Sequence, residues 1–510
     1  MCDAAQPVRD AALNDGAKQK TKYEAQGRDQ ALNIMTEVGK AEIDGADAAD
    51  EAGIVAQLVQ RARAAQRAFA HATQERVDEA VTGLAWSLYQ PAHAKELAEL
   101  AVADTGLGNV PDKVIKKQRK TFGTLRDLLR AKSVGVIEDD PARGLVKIAK
   151  PVGVVGAVTP STNPGATPVN KSMMAVKGRN AIIIAPSPAG WSTTTRTVGY
   201  MRAELARIGL PEDLVQVLPA HVNKAMTQAL MRQADLVVVT GSQDNVRRAY
   251  SSGTPALGVG AGNVPVIVDE TANLARAAEL ICASKVFDNA TSCSSENAVV
   301  VVDAVYDRMM AEFARVGGVM ADAAQKSAIQ GKLWAGGKLS RQLIAKDAAV
   351  LGRAFGIEAP GARFFMVEED GVGPAHPFSG EKLSLVLAVY RAADFAAAVR
   401  RVSEILAYQG AGHSCGIHTA DPDRPRLIAD EVDVVRVLVN QAHTFGNGGS
   451  FDNGLEFTLS MGCGTWGGNS ISENLSYRHF LNITHLVTTI PPDKPEEETL
   501  FGAYWARHGK

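Results

Sequence analysis

Four short apolar runs decide the fold: VGVVGAV (152–158), NAIIIA (180–185), LVQVL (214–218) and DLVVVT (235–240). Each run has the length of a strand and is rich in β-branched residues, and the segments between the runs carry helical spacing. Alternating strand and helix patterns are typical of βαβ units, whose right-handed crossovers make the strands parallel. The sequence therefore predicts a parallel sheet with helices packed against it.

A second series of the same kind follows the first. It starts at VPVIVD (264–269) and continues through NAVVVVD (297–303), LVLAVY (385–390), SCGIHTA (414–420) and VVRVLVN (434–440). Unbroken apolar runs of this length indicate strands that are buried on both faces. We therefore expect an α/β protein with two doubly wound α/β domains that meet near residue 260.

Other segments lie outside these two series. VGVIED (134–139) and GLVKIA (144–149) flank turn residues and predict a hairpin, and NITHLVTTI (482–490) predicts a late strand. A helix is expected from about Pro111 to Leu129, with its many lysines on the outer side. PPDKPEEE (491–498) indicates a charged, proline-rich end without a core of its own.

Composition excludes several classes of protein. The 510 residues include 54 Lys and Arg against 56 Asp and Glu, so the chain has no electrostatic footprint for nucleic acid. It has no apolar run of 18 residues and no apolar signal-peptide core at its start, so we expect neither a membrane helix nor export by that route. Five scattered cysteines without a CxxC pair argue against a metal site or a disulfide scaffold and favour a reducing cytoplasm.

The first 50 residues differ from the rest, because they contain few large apolar residues. Two interpretations fit this extension. It is a mobile arm or surface helix, or the weakly amphipathic stretch Gln30–Ile43 is a targeting helix for a compartment or partner.

Cys293 is the candidate nucleophile. It lies in FDNATSCSSENAVVV (287–301), a small polar loop between a helix and a buried strand, which leaves room for a substrate and for amides that stabilise a thiolate. The alternative is an inert loop cysteine. Cys282 and Cys415 lie in apolar segments and are expected in the core.

A dinucleotide fingerprint is absent from the sequence. GVGAG (258–262) has the wrong spacing and precedes a strand rather than a helix. Thr240, Gly241 and Ser242 offer another solution, since a buried strand ends there and a helix begins, so that free amides face a pyrophosphate. A plain strand-to-helix turn is the alternative interpretation of these residues.

Together these motifs resemble the CoA-acylating branch of the aldehyde dehydrogenase superfamily, over about residues 52–490. The matching segments, in order, are PVGVVGAVTPSTNP (151–164), LPEDLVQVLP (210–219), VVVTGS (237–242), FDNATSCSSE (287–296), EKLSLVLAVY (381–390) and SMGCGTWGGNSISEN (460–474). The resemblance implies an aldehyde dehydrogenase-like fold with a bridging β-arm that pairs between subunits, and thus a homodimer or homotetramer. It implies these units: an N-terminal extension (1–50), a cofactor-binding domain (51–132 and 152–259), a catalytic domain (260–455), an oligomerisation arm (133–151 and 478–492) and a C-terminal tail (493–510).

The resemblance also implies roles for individual residues. Cys293 is the nucleophile, the Asn163 side chain binds the oxyanion, and Glu381 positions the nicotinamide ribose. Further contacts to NAD or NADP are implied for Thr159, Pro160, Thr240, Gly241, Ser242 and Gly258. His413, in GAGHSCGIHT (410–419), either helps to deprotonate CoA or is a buried, hydrogen-bonded histidine.

Departures from the family pattern concern the acyl acceptor and the nucleotide. Hydrolytic members carry a glutamate where the alignment places Val259, and an apolar residue cannot activate water. This favours transfer of the acyl group to CoA. Ala185 stands where many members have a lysine that reaches the adenosine ribose, which leaves the choice between NAD and NADP open. Leu385 stands where others have proline.

The resemblance implies reversible oxidation of a short aldehyde with NAD(P) and CoA to an acyl-CoA. The run SENLSYRHFLNITHLV (472–487) is most similar to the acylating sulfoacetaldehyde dehydrogenases of that branch. A sulfonate needs cationic donors, and Lys171, Arg478 and His479 are candidates by proximity to the motifs, or are simply solvated. Acetaldehyde, propionaldehyde and succinate semialdehyde are alternative substrates. A hydrolytic aldehyde dehydrogenase, a phosphate-reductase relative and a non-catalytic scaffold are the alternative functions.

Overall fold

The structure is a computed structural model that describes residues 45–510. The expectations for the N-terminal extension up to residue 44, including the candidate targeting helix, lie outside the described residues. Between residues 45 and 510 the helices of eight or more residues are Gly45–Phe69, Gln74–Tyr89, Pro91–Thr105, Val110–Leu129, Ala166–Lys177, Trp191–Arg207, Lys224–Gln233, Gln243–Tyr250, Leu274–Val286, Tyr306–Arg315, Ala323–Leu333, Ala348–Phe355, Phe395–Tyr408, Arg424–Glu431 and Glu497–His508. None of them has an apolar stretch long enough to cross a lipid bilayer.

The strands of the same region are numbered in chain order. They are β1 Gly135–Asp140, β2 Leu145–Pro151, β3 Val154–Thr159, β4 Ala181–Pro186, β5 Val215–Val217, β6 Leu236–Val239, β7 Ala256–Gly258, β8 Val264–Val268, β9 Glu296–Val302, β10 Gly318–Met320, β11 Trp334–Ala335, β12 Lys338–Leu339, β13 Phe364–Glu368, β14 Val386–Ala392, β15 Cys415–His418, β16 Val437–Val439 and β17 Leu481–Val487.

The four strands of the first predicted series form a five-stranded parallel sheet together with β7, a three-residue strand that was not predicted, in the order β5-β4-β3-β6-β7. β3 and β4 are buried along their whole length, as their unbroken apolar runs predict. The chain winds from β3 to one side and then returns to add β6 on the other side. The carboxyl ends of β3 and β6 therefore border a topological switch point, the place where such sheets bind ligands.

The second series forms a seven-stranded parallel sheet, in the order β10-β13-β14-β9-β8-β15-β16. The α/β class and the presence of two parallel sheets are thus confirmed. β10 and β13 were not predicted, since β10 has only three residues and FFMVE (364–368) is a short apolar run among loops. The domain limits given above stay predictions.

A third sheet is antiparallel and has the order β1-β2-β17. It confirms the hairpin and places the late strand beside it. The end of the chain is not only a charged coil, because Glu497–His508 is a helix with acidic residues in its first turn and basic residues in its last. Those charges complement the helix dipole, which explains a helix that buries none of its side chains.

The lysines of the Val110–Leu129 helix lie on its inner face, so the expectation of an outer, solvated face was wrong. Lys113, Lys116, Lys117 and Lys120 are each less than 9% exposed. Their spacing of three and four residues puts them on one side of the helix. This side packs toward the loop that precedes β9, where Asp288 is fully buried.

Asp288 gathers the polar contacts of this region. Its Oδ2 accepts hydrogen bonds from Lys113 Nζ at 3.1 Å and Lys116 Nζ at 2.5 Å, and from the Thr291 hydroxyl at 2.7 Å. Burial alone raises the pKa of Asp288, but the two lysines hold it below its usual value. The carboxylate is therefore ionised and neutralises one of its two lysine partners.

The same residue begins a left-handed turn. Asp288, Asn289 and Ala290 have φ values of 49°, 54° and 59°. For L-residues this conformation costs roughly 1–2 kcal/mol each, so the surroundings must hold it. The Asp288 contacts, together with the Asn289 Nδ2 hydrogen bond to Asp347 at 2.8 Å, supply that hold. The turn leads directly into Ser292 and Cys293.

We predict that Asp288→Asn lowers the free energy of unfolding by about 3–5 kcal/mol, because it leaves buried lysines without a counter-charge. Urea denaturation followed by circular dichroism measures the change. Lys113→Met is the matched control and costs less, since it removes one cation from a surplus. Equal costs for the two variants would show that the charge of Asp288 does not stabilise the turn.

Candidate active site

A cavity of about 980 Å³ brings together most of the predicted site residues. Its size lies at the upper end for small-molecule sites. Its wall is built from the carboxyl ends of β3, β4 and β6, the loop after β7, and the loop before β9. The predicted residues that line it are Cys293, Asn163, Glu381, Thr159, Pro160, Thr240, Gly241 and Ser242.

One end of the cavity has the features of a nucleotide site. Thr159 ends β3 and Pro160 follows it, and Thr240 to Ser242 follow β6, so both groups lie at the switch point of the first sheet. The buried hydroxyl of Thr159 has no hydrogen-bond partner within residues 45–510. The residues present therefore fit a bound dinucleotide.

Ser242 caps the helix Gln243–Tyr250, and its hydroxyl accepts from the Asn245 amide at 3.3 Å. The cations Lys224, Arg248 and Arg341 also line the cavity, although Arg248 pairs with Asp244 at 3.1 Å. Gly258 is not on the wall. It ends β7, and its amide donates to the Tyr250 hydroxyl at 3.0 Å, so it supports the neighbouring Val259, which does line the cavity.

Cys293 is half-buried on the cavity wall. The loop after β7 runs directly against it: a Cβ on Gly262 would lie 2.2 Å from the Cys293 carbonyl oxygen and 2.6 Å from its Cβ. Only glycine fits at 262. The close approach fixes where the thiol lies relative to Val259 and the loop.

Burial raises the pKa of the Cys293 thiol to about 12, and the carboxylate of Glu381 and the thiol of Cys463 raise it further. The expectation that nearby amides stabilise a thiolate is therefore wrong for the protein without ligands, because desolvation outweighs them. At neutral pH the nucleophile is held as a thiol.

Asn163 lies on the same wall, in the turn between β3 and the helix Ala166–Lys177. Its side-chain amide makes no hydrogen bond to any residue of the described chain. A free amide beside a nucleophile can donate to the oxygen on which negative charge develops.

Glu381 faces Cys293 across the cavity. Burial raises its pKa to about 8, and Lys382 and Lys285 oppose this rise. Lys382 is occupied by the carbonyl oxygens of Phe378 and Gly380. A carboxyl group with this pKa is largely protonated at neutral pH in the site without ligands.

His413 is not part of the cavity wall. It is buried, its Nδ1 is hydrogen-bonded to the Ser414 hydroxyl at 2.8 Å, and the same hydroxyl contacts Nε2 of His443 at 2.9 Å. Burial holds the pKa of His413 well below its usual value, and Arg436 and His443 lower it further. The geometry fits the alternative of a buried, hydrogen-bonded histidine and does not place a base at the thiol.

The three residues proposed from the sequence for a substrate anion also lie elsewhere. Lys171 is fully buried and donates to the carbonyl oxygens of Val158 and Val238 at 3.3 and 3.1 Å. Arg478 forms an ion pair with Glu456, and His479 contacts Ser476 and Glu473. None of the three lines the cavity, so the expectation of an anion contact is replaced by these structural roles.

Two further residues of the site, Lys120 and Asn447, were not predicted from the sequence. Lys120 lines the cavity but belongs to the helix assigned to the surface. Asn447 donates to the Ser294 hydroxyl at 2.9 Å and so fixes the residue after the nucleophile from a distant glycine-rich loop. The helical spacing of the lysines was the available signal for Lys120, whereas no pattern pointed to Asn447.

We predict that Glu381→Gln speeds alkylation of Cys293 by iodoacetamide above pH 8 but not at pH 7. The carboxylate raises the thiol pKa only when it is ionised, so its removal matters only above its own pKa of about 8. At pH 9 the gain should be roughly threefold to tenfold. Mass spectrometry with Cys293→Ala as control locates the label. Equal acceleration at both pH values would contradict the electrostatic coupling.

Comparison with known proteins agrees with this geometry. The model of the aldehyde dehydrogenase family matches residues 25–322. A sulfoacetaldehyde dehydrogenase (acylating) of Cupriavidus necator is 55% identical over 471 residues, covering 92% of this chain and 95% of that protein. Another, from Bilophila wadsworthia, is 44% identical over 464 residues, covering 89% of this chain and 99% of that protein.

A solved structure gives the same result for the fold. The acetylating aldehyde dehydrogenase from Geobacillus thermoglucosidasius has a TM-score of 0.85 and 33% identity, and the match covers 89% of this chain and 100% of that chain. Identity of this extent, the shared fold and a cysteine loop on the cavity wall lead to one conclusion: the chain belongs to the aldehyde dehydrogenase family, within its CoA-acylating branch.

Proposed function

We propose that this chain oxidises sulfoacetaldehyde to sulfoacetyl-CoA, reversibly, with NAD or NADP as oxidant and CoA as acyl acceptor. One observation carries the proposal: Cys293 and Asn163 share a cavity with the carboxyl ends of β3 and β6, and Val259 lines that cavity where hydrolytic members carry a glutamate. The names of the similar proteins supply the choice of substrate.

In the proposed mechanism, the Cys293 sulfur attacks the aldehyde carbon. The Asn163 amide and the Cys293 backbone amide donate to the oxygen, which becomes an oxyanion in this step. Because the free site holds Cys293 as a thiol, its proton must pass to solvent as the ligands bind, before the sulfur attacks. A positive charge near the sulfur lowers a thiol pKa.

Glu381 has a second task in the mechanism. Its carboxyl group would form a hydrogen bond with a ribose hydroxyl and so orient the nicotinamide toward the substrate carbon. A bound oxidised nicotinamide would supply the hydride acceptor, and loss of the hydride would leave a thioester on Cys293. Thr159, Pro160 and Thr240 to Ser242 hold the phosphates and ribose at the sheet edge.

Release of the acyl group depends on whether a residue near Cys293 can act as a base toward water. The cavity-lining carboxyl groups within residues 45–510 are Glu381 and Asp244, and Asp244 pairs with Arg248. Val259 offers no base for water. General-base assistance typically speeds such a step by about 10²–10⁴. Without it, hydrolysis of the thioester is slow, and the thioester reacts with the thiol of CoA instead.

We predict that single-turnover mixing with aldehyde and NAD, without CoA, gives a burst of about one NADH per active site and then stalls. Addition of CoA restores steady turnover and yields acyl-CoA. Absorbance at 340 nm and mass spectrometry of the product follow both steps. Cys293→Ala abolishes the burst, whereas Cys282→Ala, which changes a buried core cysteine, retains it.

Val259→Glu is the complementary variant, because it places a carboxyl group at the aligned position of the hydrolytic members. It should divert part of the product to free acid. Steady, CoA-independent acid release by the unmutated chain would assign the protein to the hydrolytic members and refute the proposal.

We also propose that β1, β2 and β17 form an arm that pairs between subunits. β17 is an edge strand whose Leu486 and Val487 are 53% and 69% exposed, and unpaired apolar edges favour association. The expected assembly is a homodimer or homotetramer.

We predict that the double variant Leu486→Glu and Val487→Glu lowers the molar mass measured by light scattering at micromolar concentration. Leu427→Glu is the matched control, since Leu427 is also exposed, at 47%, but lies on the helix Arg424–Glu431. A monomer in the unmutated protein would exclude the arm as an interface.

A further inference from the structure

A second, smaller cavity adjoins the first at the nucleophile. It has a volume of about 30 Å³, which is room for a group about the size of a water molecule. Lys120, Asn163 and Ser292 line both cavities, so the small cavity begins beside the oxyanion donor and the residue that precedes Cys293. Its other polar walls are Thr444 and, from the Val110–Leu129 helix, Lys116 and Arg119.

The charges in this small cavity are not balanced. Lys116 shares the single carboxylate of Asp288 with Lys113. Arg119 and Lys120 form no ion pair with any carboxylate of residues 45–510; they donate to neutral oxygens instead. Arg119 contacts the Phe445 carbonyl at 3.3 Å and the Ser450 hydroxyl at 2.8 Å, and Lys120 contacts the Gly448 carbonyl at 2.7 Å.

Burial lowers the pKa of Arg119 and the charge of Asp452 opposes this, but the two form no direct ion pair: the Ser450 hydroxyl accepts from Arg119 and donates to Asp452. Lys120 is buried, and burial lowers its pKa to about 7, with Arg119 and Lys116 lowering it further. Arg119 is only partly buried. An anion bound beside these two residues would supply the missing counter-charge and favour the protonated form of Lys120.

Arg119 is also held in a fixed orientation. Its guanidinium carbon lies 5.3, 5.7 and 5.4 Å from the ring centroids of Phe445, Phe451 and Phe457. A planar guanidinium stacked on aromatic rings keeps its donors directed along one plane. Ser292 adds a hydroxyl whose oxygen accepts from the Ser294 amide and whose proton is free to be donated.

We propose that Arg119 and Lys120 bind the anionic group of the aldehyde substrate, a sulfonate joined to the aldehyde carbon through one methylene. This assignment rests on the proposed function. The short spacing between the aldehyde carbon and the sulfonate matches a small cavity that starts at Asn163 and Ser292. A longer acid such as succinate semialdehyde would carry its charge beyond this small cavity. Arg119 and Lys120 take the place of Lys171, Arg478 and His479 as the anion-binding residues.

The test is a ratio of specificities. The measured quantity is kcat/KM for sulfoacetaldehyde divided by kcat/KM for propionaldehyde, with NAD and CoA present. Arg119→Met and Lys120→Met are expected to lower this ratio by about 10- to 100-fold, the usual effect of losing a hydrogen bond to a charged group. Arg119→Lys should recover part of the loss.

Arg126→Met is the matched control. Arg126 belongs to the same helix and also lies over the rings of Phe451 and Phe457, but it lines neither cavity. It should leave the ratio within about twofold of the unmutated value. If Arg119→Met and Lys120→Met lower kcat/KM equally for sulfoacetaldehyde and propionaldehyde, the two side chains serve the structure or the chemistry, and the proposal is wrong.

A second measurement needs no turnover. 2-Bromoethanesulfonate places a sulfonate one methylene from a carbon that the Cys293 sulfur attacks, forming a thioether and releasing bromide. Divided by the rate with neutral iodoacetamide, its alkylation rate should fall about tenfold or more in Arg119→Met and stay constant in Arg126→Met. An unchanged ratio in Arg119→Met would overturn the assignment.

The two measurements distinguish a failure of the proposed function from a failure of the anion pocket. If the unmutated chain forms no acyl-CoA from any aldehyde but its alkylation by 2-bromoethanesulfonate still depends on Arg119, the proposed function fails and the anion pocket stands. If it forms acyl-CoA with equal specificity for sulfoacetaldehyde and propionaldehyde, the pocket fails and the acylating function stands.

Discussion

The buried ion cluster of Lys113, Lys116 and Asp288 is the interaction on which the site depends. It joins a helix from the first part of the chain to the loop that carries the nucleophile, across 172 or more residues of sequence. Without it the left-handed turn at 288–290 would lose the contacts of Asp288, and the loop that carries Cys293 would be held at that end by fewer hydrogen bonds, among them that of Asn289 to Asp347. The cost of burying these charges is met by several hydrogen bonds to one carboxylate, as a buried ion pair requires.

Once the turn is fixed, the edges of the two parallel sheets position the other residues of the cavity wall. The carboxyl ends of β3 and β6 line the part of the cavity proposed for the nucleotide, and the loop into β9 carries the Cys293 thiol. Gly262 lets the loop after β7 lie against Cys293. The identity of the residue at 259 can then decide whether water has a base near the thioester.

The sequence predicted the sheets well, because strands buried on both faces are unbroken apolar runs. It predicted the cavity wall from motifs at strand ends and from family resemblance. It misplaced the lysines of the Val110–Leu129 helix, since a lysine is usually exposed and the neutralising Asp288 lies far away in the chain. It also misplaced Lys171, which is fully buried, because closeness to a motif in sequence says nothing about which face of an element a side chain occupies. For His413 the sequence left two roles open, and the structure fits the buried, hydrogen-bonded one.

The raised pKa of Cys293 has a consequence for damage by oxidants. Peroxide attacks thiolates, and a thiol with a pKa of about 12 is almost entirely protonated at neutral pH. The enzyme without ligands thus holds its nucleophile in the form that resists sulfenic acid formation. Oxidation of Cys293 by peroxide in the protein without ligands should therefore be slower than that of a free cysteine thiol.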